Sequence, residues 1–133
     1  MGQRNYRRIQ ESGVNQMATQ LKIEFARGDS YARALVLKQD GQAVTDTFDE
    51  IYFTVKRSYE EKKVLFQKRM STGGIVTNGS GYYTLYINPE DTDGMDFGDY
   101  DFDFEFVKND GGYKRTFPGK LRLAKEVTYA SNE

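Results

Sequence analysis

The chain contains no cysteine and no histidine. That excludes disulfides, zinc sites built from Cys or His ligands, thiol nucleophiles and histidine acid–base relays. Only two prolines occur in 133 residues, which argues against a stalk or rigid linker. No apolar run approaches the ~20 residues that span a bilayer, and no signal-type hydrophobic stretch follows the N-terminal arginines. The expected setting is therefore a cytosol, with no membrane. A formal charge of −1 gives no global pull on nucleic acid or acidic lipid. What is abundant is aromatic: 10 Tyr and 9 Phe, in a chain that is 38% hydrophobic and 29% charged. Such a composition is too aromatic for disorder, and the length suits one domain with its own core.

The most informative segment is residues 98–107, Gly-Asp-Tyr-Asp-Phe-Asp-Phe-Glu-Phe-Val. Asp99, Asp101, Asp103 and Glu105 interleave with Tyr100, Phe102, Phe104 and Phe106. A period of two is the strand period, so one sheet face carries rings and the other carboxylates. The rings are expected in a core and the whole acid row in water. Strands of this kind belong to antiparallel sheets packed face to face.

Other segments repeat the pattern. Leu21, Ile23 and Phe25 alternate with Lys22 and Glu24, and Gly28-Asp29 ends that strand. Residues 30–38 form a second strand, whose Leu35-Val36-Leu37 is too continuously apolar to reveal its inner face. Asp40-Gly41 is a two-residue hairpin signal, because a type I′ turn needs positive φ at both positions. Ile51, Phe53 and Val55 alternate with Tyr52, Thr54 and Lys56; residues 64–69 pair back after the polar stretch 58–63. The glycine-rich stretch 71–81 reads as a mobile loop with at most a short strand at Ile75-Val76. Tyr83, Leu85 and Ile87 then alternate with Tyr82, Thr84 and Tyr86. Asn88-Pro89-Glu90-Asp91 starts one short helical turn near 89–94, with Asn at the N-cap and Pro at the first helical position. Residues 1–17 show no alternation and carry Arg4, Arg7 and Arg8. They read as a flexible basic tail, a leader that translation from Met17 would omit, with at most weak nucleic-acid binding through those arginines.

The last hairpin tests register. A two-residue turn at Asp110-Gly111 makes opposed residue numbers sum to 221, which sets Phe104 against Phe117 and Tyr100 against Leu121. The same register sets Asp101 against Lys120, Asp99 against Arg122 and Glu105 against Thr116. Apolar and charge pairing agree, so the pairs select the register. Pro118, opposite Asp103, predicts a bulge or an edge. About seven strands, with turns every 8 to 12 residues, predict an all-β fold. The expected architecture is an immunoglobulin-like antiparallel β-sandwich over residues 18–133, without a Cys-Trp-Cys signature.

Candidate chemistry is sparse. Neighbouring acids on one strand face lie about 7 Å apart, a spacing open to glycoside hydrolysis. A flat solvated row beside cations, however, offers nothing to raise a carboxyl pKa. Asp91, Asp93 and Asp96 fail the calcium-loop spacing, since positions 5 and 12 from Asp91 are Met95 and Phe102. The glycines at 73, 74, 79 and 81 precede no Gly-Lys-Ser/Thr. No catalytic residue, metal or cofactor is expected. Aromatics interleaved with acids repel single-stranded nucleic acid. Tyr82 and Tyr86 share the face opposite Tyr83, and Tyr52 takes the corresponding side of its own strand. These three are the candidate interaction surface, since tyrosine buries area while keeping a polar tip; ordinary half-buried sheet tyrosines are the competing account.

An ordered set of motifs accompanies this: Gly28-Asp29-Ser30, Asp40-Gly41-Gln42-Ala43-Val44, Ile51-Tyr52-Phe53-Thr54-Val55-Lys56 and Gly73-Gly74-Ile75. Gly81-Tyr82-Tyr83-Thr84-Leu85, Asn88-Pro89-Glu90-Asp91-Thr92, Gly98-Asp99-Tyr100, Phe102-Asp103-Phe104, Gly119-Lys120-Leu121 and Glu126-Val127-Thr128 continue it. Over residues 21–128 the chain resembles the small Ig-like β-sandwich domain of bacteriophage and prophage structural proteins. It is similar to the N-terminal domain of upper baseplate proteins, although no coiled coil or receptor-binding region follows in this sequence. The resemblance implies a non-enzymatic tail, baseplate or capsid protein with other phage structural proteins as partners and symmetric copies of itself in the particle. It places the chain in the virion, or in the host cytoplasm before assembly. A carbohydrate-binding module using exposed tyrosines is the alternative from another class.

Overall fold

Nearly every alternating segment becomes a strand. The computed structural model describes residues 8–11, 21–109 and 112–125, with 8–11 and Tyr113 described by backbone only. The strands are β1 (Arg8–Glu11), β2 (Leu21–Ala26), β3 (Tyr31–Gln39), β4 (Gln42–Ala43) and β5 (Glu50–Lys56). They continue with β6 (Phe66–Arg69), β7 (Ile75–Gly79), β8 (Tyr82–Ile87), β9 (Gly98–Lys108) and β10 (Tyr113–Ala124). One short helix, α1 (Pro89–Thr92), follows β8.

Two sheets pack face to face. The first has the order β1-β3-β8-β7, with β4 pairing β3; the second has the order β2-β10-β9-β5-β6. Within these two five-stranded sheets, β1-β3-β8-β7 faces β10-β9-β5 in the immunoglobulin arrangement of an A-B-E-D sheet against a G-F-C set, with β4, β2 and β6 added at the edges. A further hallmark is the bond from the Tyr100 hydroxyl, near the start of β9, to the Asp96 carbonyl at 2.6 Å. It is the tyrosine corner of such sandwiches.

The β9–β10 register is the one the sequence specifies: Phe117 faces Phe104, Leu121 faces Tyr100, Lys120 faces Asp101 and Arg122 faces Asp99. The turn residues 110 and 111 lie outside the described residues. At the other hairpin, Asp40 has φ 54° and Gly41 φ 80°. Both values are positive, as the type I′ turn requires. The β9–β10 ladder is continuous through Pro118. Among the described residues β2 pairs with β10 from Gly119 onward, and Pro118 is exposed. Asp91 caps α1 by accepting the Asn88 N–H at 2.8 Å.

Five expectations need correction. The strands outnumber the expected seven or so. The sandwich is not wholly antiparallel, because β2 runs parallel to β10. It does so because the chain crosses at Gly28-Asp29 from β2 in the second sheet to β3 in the first. The backbone of Arg8–Glu11 is not tail but an edge strand antiparallel to β3; Arg4 and Arg7 lie outside the described residues. The glycine-rich stretch holds a strand of five residues, Ile75–Gly79, because β8 supplies a ladder that local propensity does not reveal.

The acid row is the fifth correction: Asp101 is only 8% exposed. Tyr59, in the segment that follows β5, lies over this part of the outer face. The Tyr59 N–H donates to Asp101 Oδ2 at 3.0 Å, and the Tyr59 hydroxyl sits 3.1 Å from the carbonyl oxygens of Phe102 and Gly119. Lys120 donates to the other Asp101 oxygen.

The core lies between the inner faces. Ile51, Phe53 and Val55 of β5 meet Tyr100, Phe102, Phe104 and Phe106 of β9, with Phe53 centred 4.9 Å from the rings of both Phe102 and Phe104. Leu35, Leu37, Ile75, Tyr83, Leu85 and Ile87 close it from the first sheet. Val36 is buried too, yet it stands apart from this cluster on the outer face, beside Gln10 of β1 and Tyr82 of β8. Burial on both faces at Leu35–Leu37 alone explains why the apolar triplet hid its orientation.

Candidate functional site

The two outer faces of the sandwich differ in chemistry. On the second sheet, cross-strand rows run Glu24–Arg122–Asp99, Lys22–Lys120–Asp101–Lys56 and Glu105–Tyr52–Arg69. Arg122 pairs with Asp99 at 2.9 Å and Lys114 with Glu105 at 3.4 Å. Hydrogen bonding to Asp101 raises the Lys120 pKa. Burial, then the Glu105 charge, raises that of Asp103. Burial pushes the Glu50 carboxyl up, but bonds from Ser71 and from the Ile51 N–H outweigh it, and its pKa falls below the ordinary 4.5. These acids serve as ion-pair partners and backbone acceptors.

On the first sheet, the rows Ala32–Tyr86, Ala34–Thr84–Val76 and Val36–Tyr82 are uncharged; the next row brings Lys38. Tyr82 is 44% and Tyr86 42% exposed, Val76 is 38% exposed, and Ala32 and Ala34 are exposed between them. Tyrosine rings flanking alanine and threonine make a flat face that water covers poorly and a partner's side chains can cover well. The alternation of 82–87 places these tyrosines outward, because Tyr83, Leu85 and Ile87 must fill the core.

The three candidate tyrosines do not form one surface. Tyr52 belongs to the second sheet, on the opposite side of the sandwich, half-buried under the Arg69 guanidinium at 5.1 Å from its ring centroid. Alternation gave its side of the strand correctly but could not say to which sheet β5 belongs. Sequence reasoning passed over Ala32, Ala34 and Val76, which complete the uncharged face; the signal was present in the small side chains opposite Thr84 and Tyr86. Among the described residues no helix is long and apolar enough to cross a membrane, and no group of three or more acids could hold a metal ion.

No protein-family model and no curated protein matches the sequence. Among solved structures the chain is similar to part of an endo-β-1,4-mannanase from Thermotoga petrophila, at 16% identity and TM-score 0.49, over 79% of this chain and 18% of that one. An engineered protein gives 11% identity and TM-score 0.48, over 92% of this chain and 20% of the other. AggA, the major subunit of aggregative adherence fimbriae type I from Escherichia coli, gives 9% identity and TM-score 0.40, covering 94% and 97%. The chain thus spans about a fifth of the first two. At these scores the fold assignment rests on the strand order and register themselves.

Proposed function

We infer that this chain is a non-enzymatic assembly module of a phage or prophage particle, docking protein partners through the outer face of β3, β8 and β7. The observation that carries the reading is the contrast between faces. One is laced with ion pairs, while the other exposes Tyr82, Tyr86 and Val76 around two alanines. Exposed tyrosines over small residues have the composition of an interface core, whereas charged rows are depleted there. The phage setting rests on the motif resemblance over residues 21–128. It brings with it other particle proteins as partners, symmetric copies of this chain and residence in the virion, or in the host cytoplasm before assembly.

The test is incorporation into particles purified from the host that encodes the chain. A Tyr82→Ser/Tyr86→Ser variant should fold with an unchanged thermal midpoint and be lost from particles at least about tenfold, as expected for anchor residues. Arg122→Ser, on the opposite face, should be retained. Particles that never contain the chain, or that take up both variants equally, overturn the reading.

A further inference from the structure

One end of the sandwich is concave. Residues 45–48, which follow β4, face the β7–β8 hairpin across a cavity of about 330 Å³, close to the lower limit for small-ligand sites. The walls are locked by backbone. Leu37 N–H donates to the Gly81 carbonyl at 2.8 Å, and Val44 N–H to the Leu37 carbonyl at 2.9 Å. Gly81 has φ +80°, and a Cβ there would lie 2.6 Å from the Val44 carbonyl oxygen. Only glycine lets the two segments close up in this way.

Tyr83 lines the cavity and is 5% exposed, with its ring edge-on to Phe106. Its hydroxyl makes no hydrogen bond among the described residues, yet it is not one of their buried unpaired polar atoms, so it opens to the cavity. A hydroxyl that meets only solvent in the cavity is free to donate to a ligand there. Around it stand Asp46 and the hydroxyls of Thr45, Thr47, Thr77 and Ser80, with Phe48 and Met70 supplying apolar wall. Asp46 is ion-paired with Lys108 at 3.0 Å, so the cavity presents an acceptor but no net charge. Burial, then the Asp46 carboxylate, pushes the Tyr83 phenol to about 12, which keeps it a donor across the working pH range.

We propose that this cavity binds a neutral sugar ring, with the Tyr83 hydroxyl donating from the floor, Asp46 accepting, and the Thr and Ser hydroxyls engaging the rim. A sugar offers donors, acceptors and an apolar C–H face in one ring, which matches phenol, carboxylate, hydroxyls and Phe48–Met70 together. An anion would meet Asp46, and a cation would have to displace Lys108. The inference is independent of the docking reading, because Tyr83 and Tyr82 point to opposite faces of the first sheet.

The experiment is a ¹H–¹⁵N titration of the full chain with glucose, galactose, mannose and N-acetylglucosamine to about 50 mM, against glucuronate and phosphate. At least one neutral sugar should saturate and shift the amides of residues 45–48 and 77–83. Tyr83→Phe, which removes an unbonded hydroxyl, should leave the thermal midpoint unchanged or raised. It should weaken binding about five- to tenfold, the effect of one hydrogen bond. Thr77→Val should weaken it too, and Tyr82→Ser should not. Equal affinity for the methyl glycoside identifies a glycan end, and loss on methylation a free sugar; both support the site. Absence of saturation by every neutral sugar, preference for glucuronate or phosphate, shifts confined to the Tyr82–Tyr86 face, or unchanged affinity in Tyr83→Phe would each overturn it.

Discussion

Asp101→Ala is expected to destabilise the protein by about 1–3 kcal/mol, more than any other change in the acid row. The carboxylate is 8% exposed and accepts two donors, the Tyr59 N–H at 3.0 Å and the Lys120 ammonium. Alanine takes the acceptor from the part-buried Tyr59 N–H and removes a nearly buried carboxylate that accepts it, at about 1–3 kcal/mol. It also removes the Lys120 bond, which adds little because that side chain is 49% exposed and screened by water. Asp101→Asn keeps an acceptor for Tyr59 and should cost about 1 kcal/mol. Lys120→Met should cost less still, since its loss leaves the carboxylate on Tyr59. The assay is urea unfolding followed by far-ultraviolet circular dichroism. With a slope of about 1–3 kcal/mol per molar, the alanine variant should shift the midpoint by about 1 M. pH supplies a second check. The Lys120 pKa is raised in the fold, so its contribution is complete below the ordinary lysine value of 10.5 and disappears as pH climbs through the raised one. The gap between wild type and Lys120→Met should therefore close in strong alkali. A cost below about 0.5 kcal/mol for Asp101→Ala, or equal costs for Asp101→Ala and Lys120→Met, would refute the reasoning.

Two further substitutions test the packing and the charge ladder. A Cβ at Gly119 would lie 2.2 Å from the Phe102 ring and 2.6 Å from the Leu21 carbonyl oxygen, wedging β2 from β10. Gly119→Ala should cost about 3 kcal/mol, read as a lowered urea midpoint, and a wild-type midpoint would contradict the packing. Asp103 has its pKa raised above 3.8 by burial and then by Glu105. Its charged form is thus disfavoured in the fold; the cost is present above the raised pKa and relieved as pH falls through it. Asp103→Asn should stabilise at pH 7 by less than about 1 kcal/mol, and the gain should vanish below 3.8.

Legibility in the sequence followed the range of the interactions. The β9–β10 hairpin was readable to single-residue register because alternation, turn chemistry and charge pairs constrain the same few residues. Asp40-Gly41 and the start of α1 were readable for the same local reason. The assignment of strands to sheets was not, because the Gly28-Asp29 crossing and the β2–β10 pairing are set by packing between segments almost a hundred positions apart. That gap hid the separation of Tyr52 from Tyr82 and Tyr86. The stretch 58–63 read only as polar, although Tyr59 within it uses backbone N–H and phenol together to bury Asp101. The Tyr83 cavity was invisible for a similar reason: residues 45–48 and 77–81 meet only once both hairpins are in place.

The charge on one outer face has a structural cause that the other face lacks. On β9 and β10 the ion pairs coincide with the register, and they hold the outer row while Gly119 leaves the inner row one side chain short. On β3 and β8 the register is already fixed from within, by Leu35 beside Tyr83 and by Leu85 and Ile87 in the core. A one-residue slip there would turn every one of those side chains into water. The exposed outward positions, unlike buried Val36, therefore add nothing to the register, and charged residues would serve solubility best there. The chain places Ala32, Ala34, Tyr82, Thr84 and Tyr86 there instead. An uncharged face that the register does not demand, on a chain otherwise rich in surface charge, is what the proposed docking role calls for.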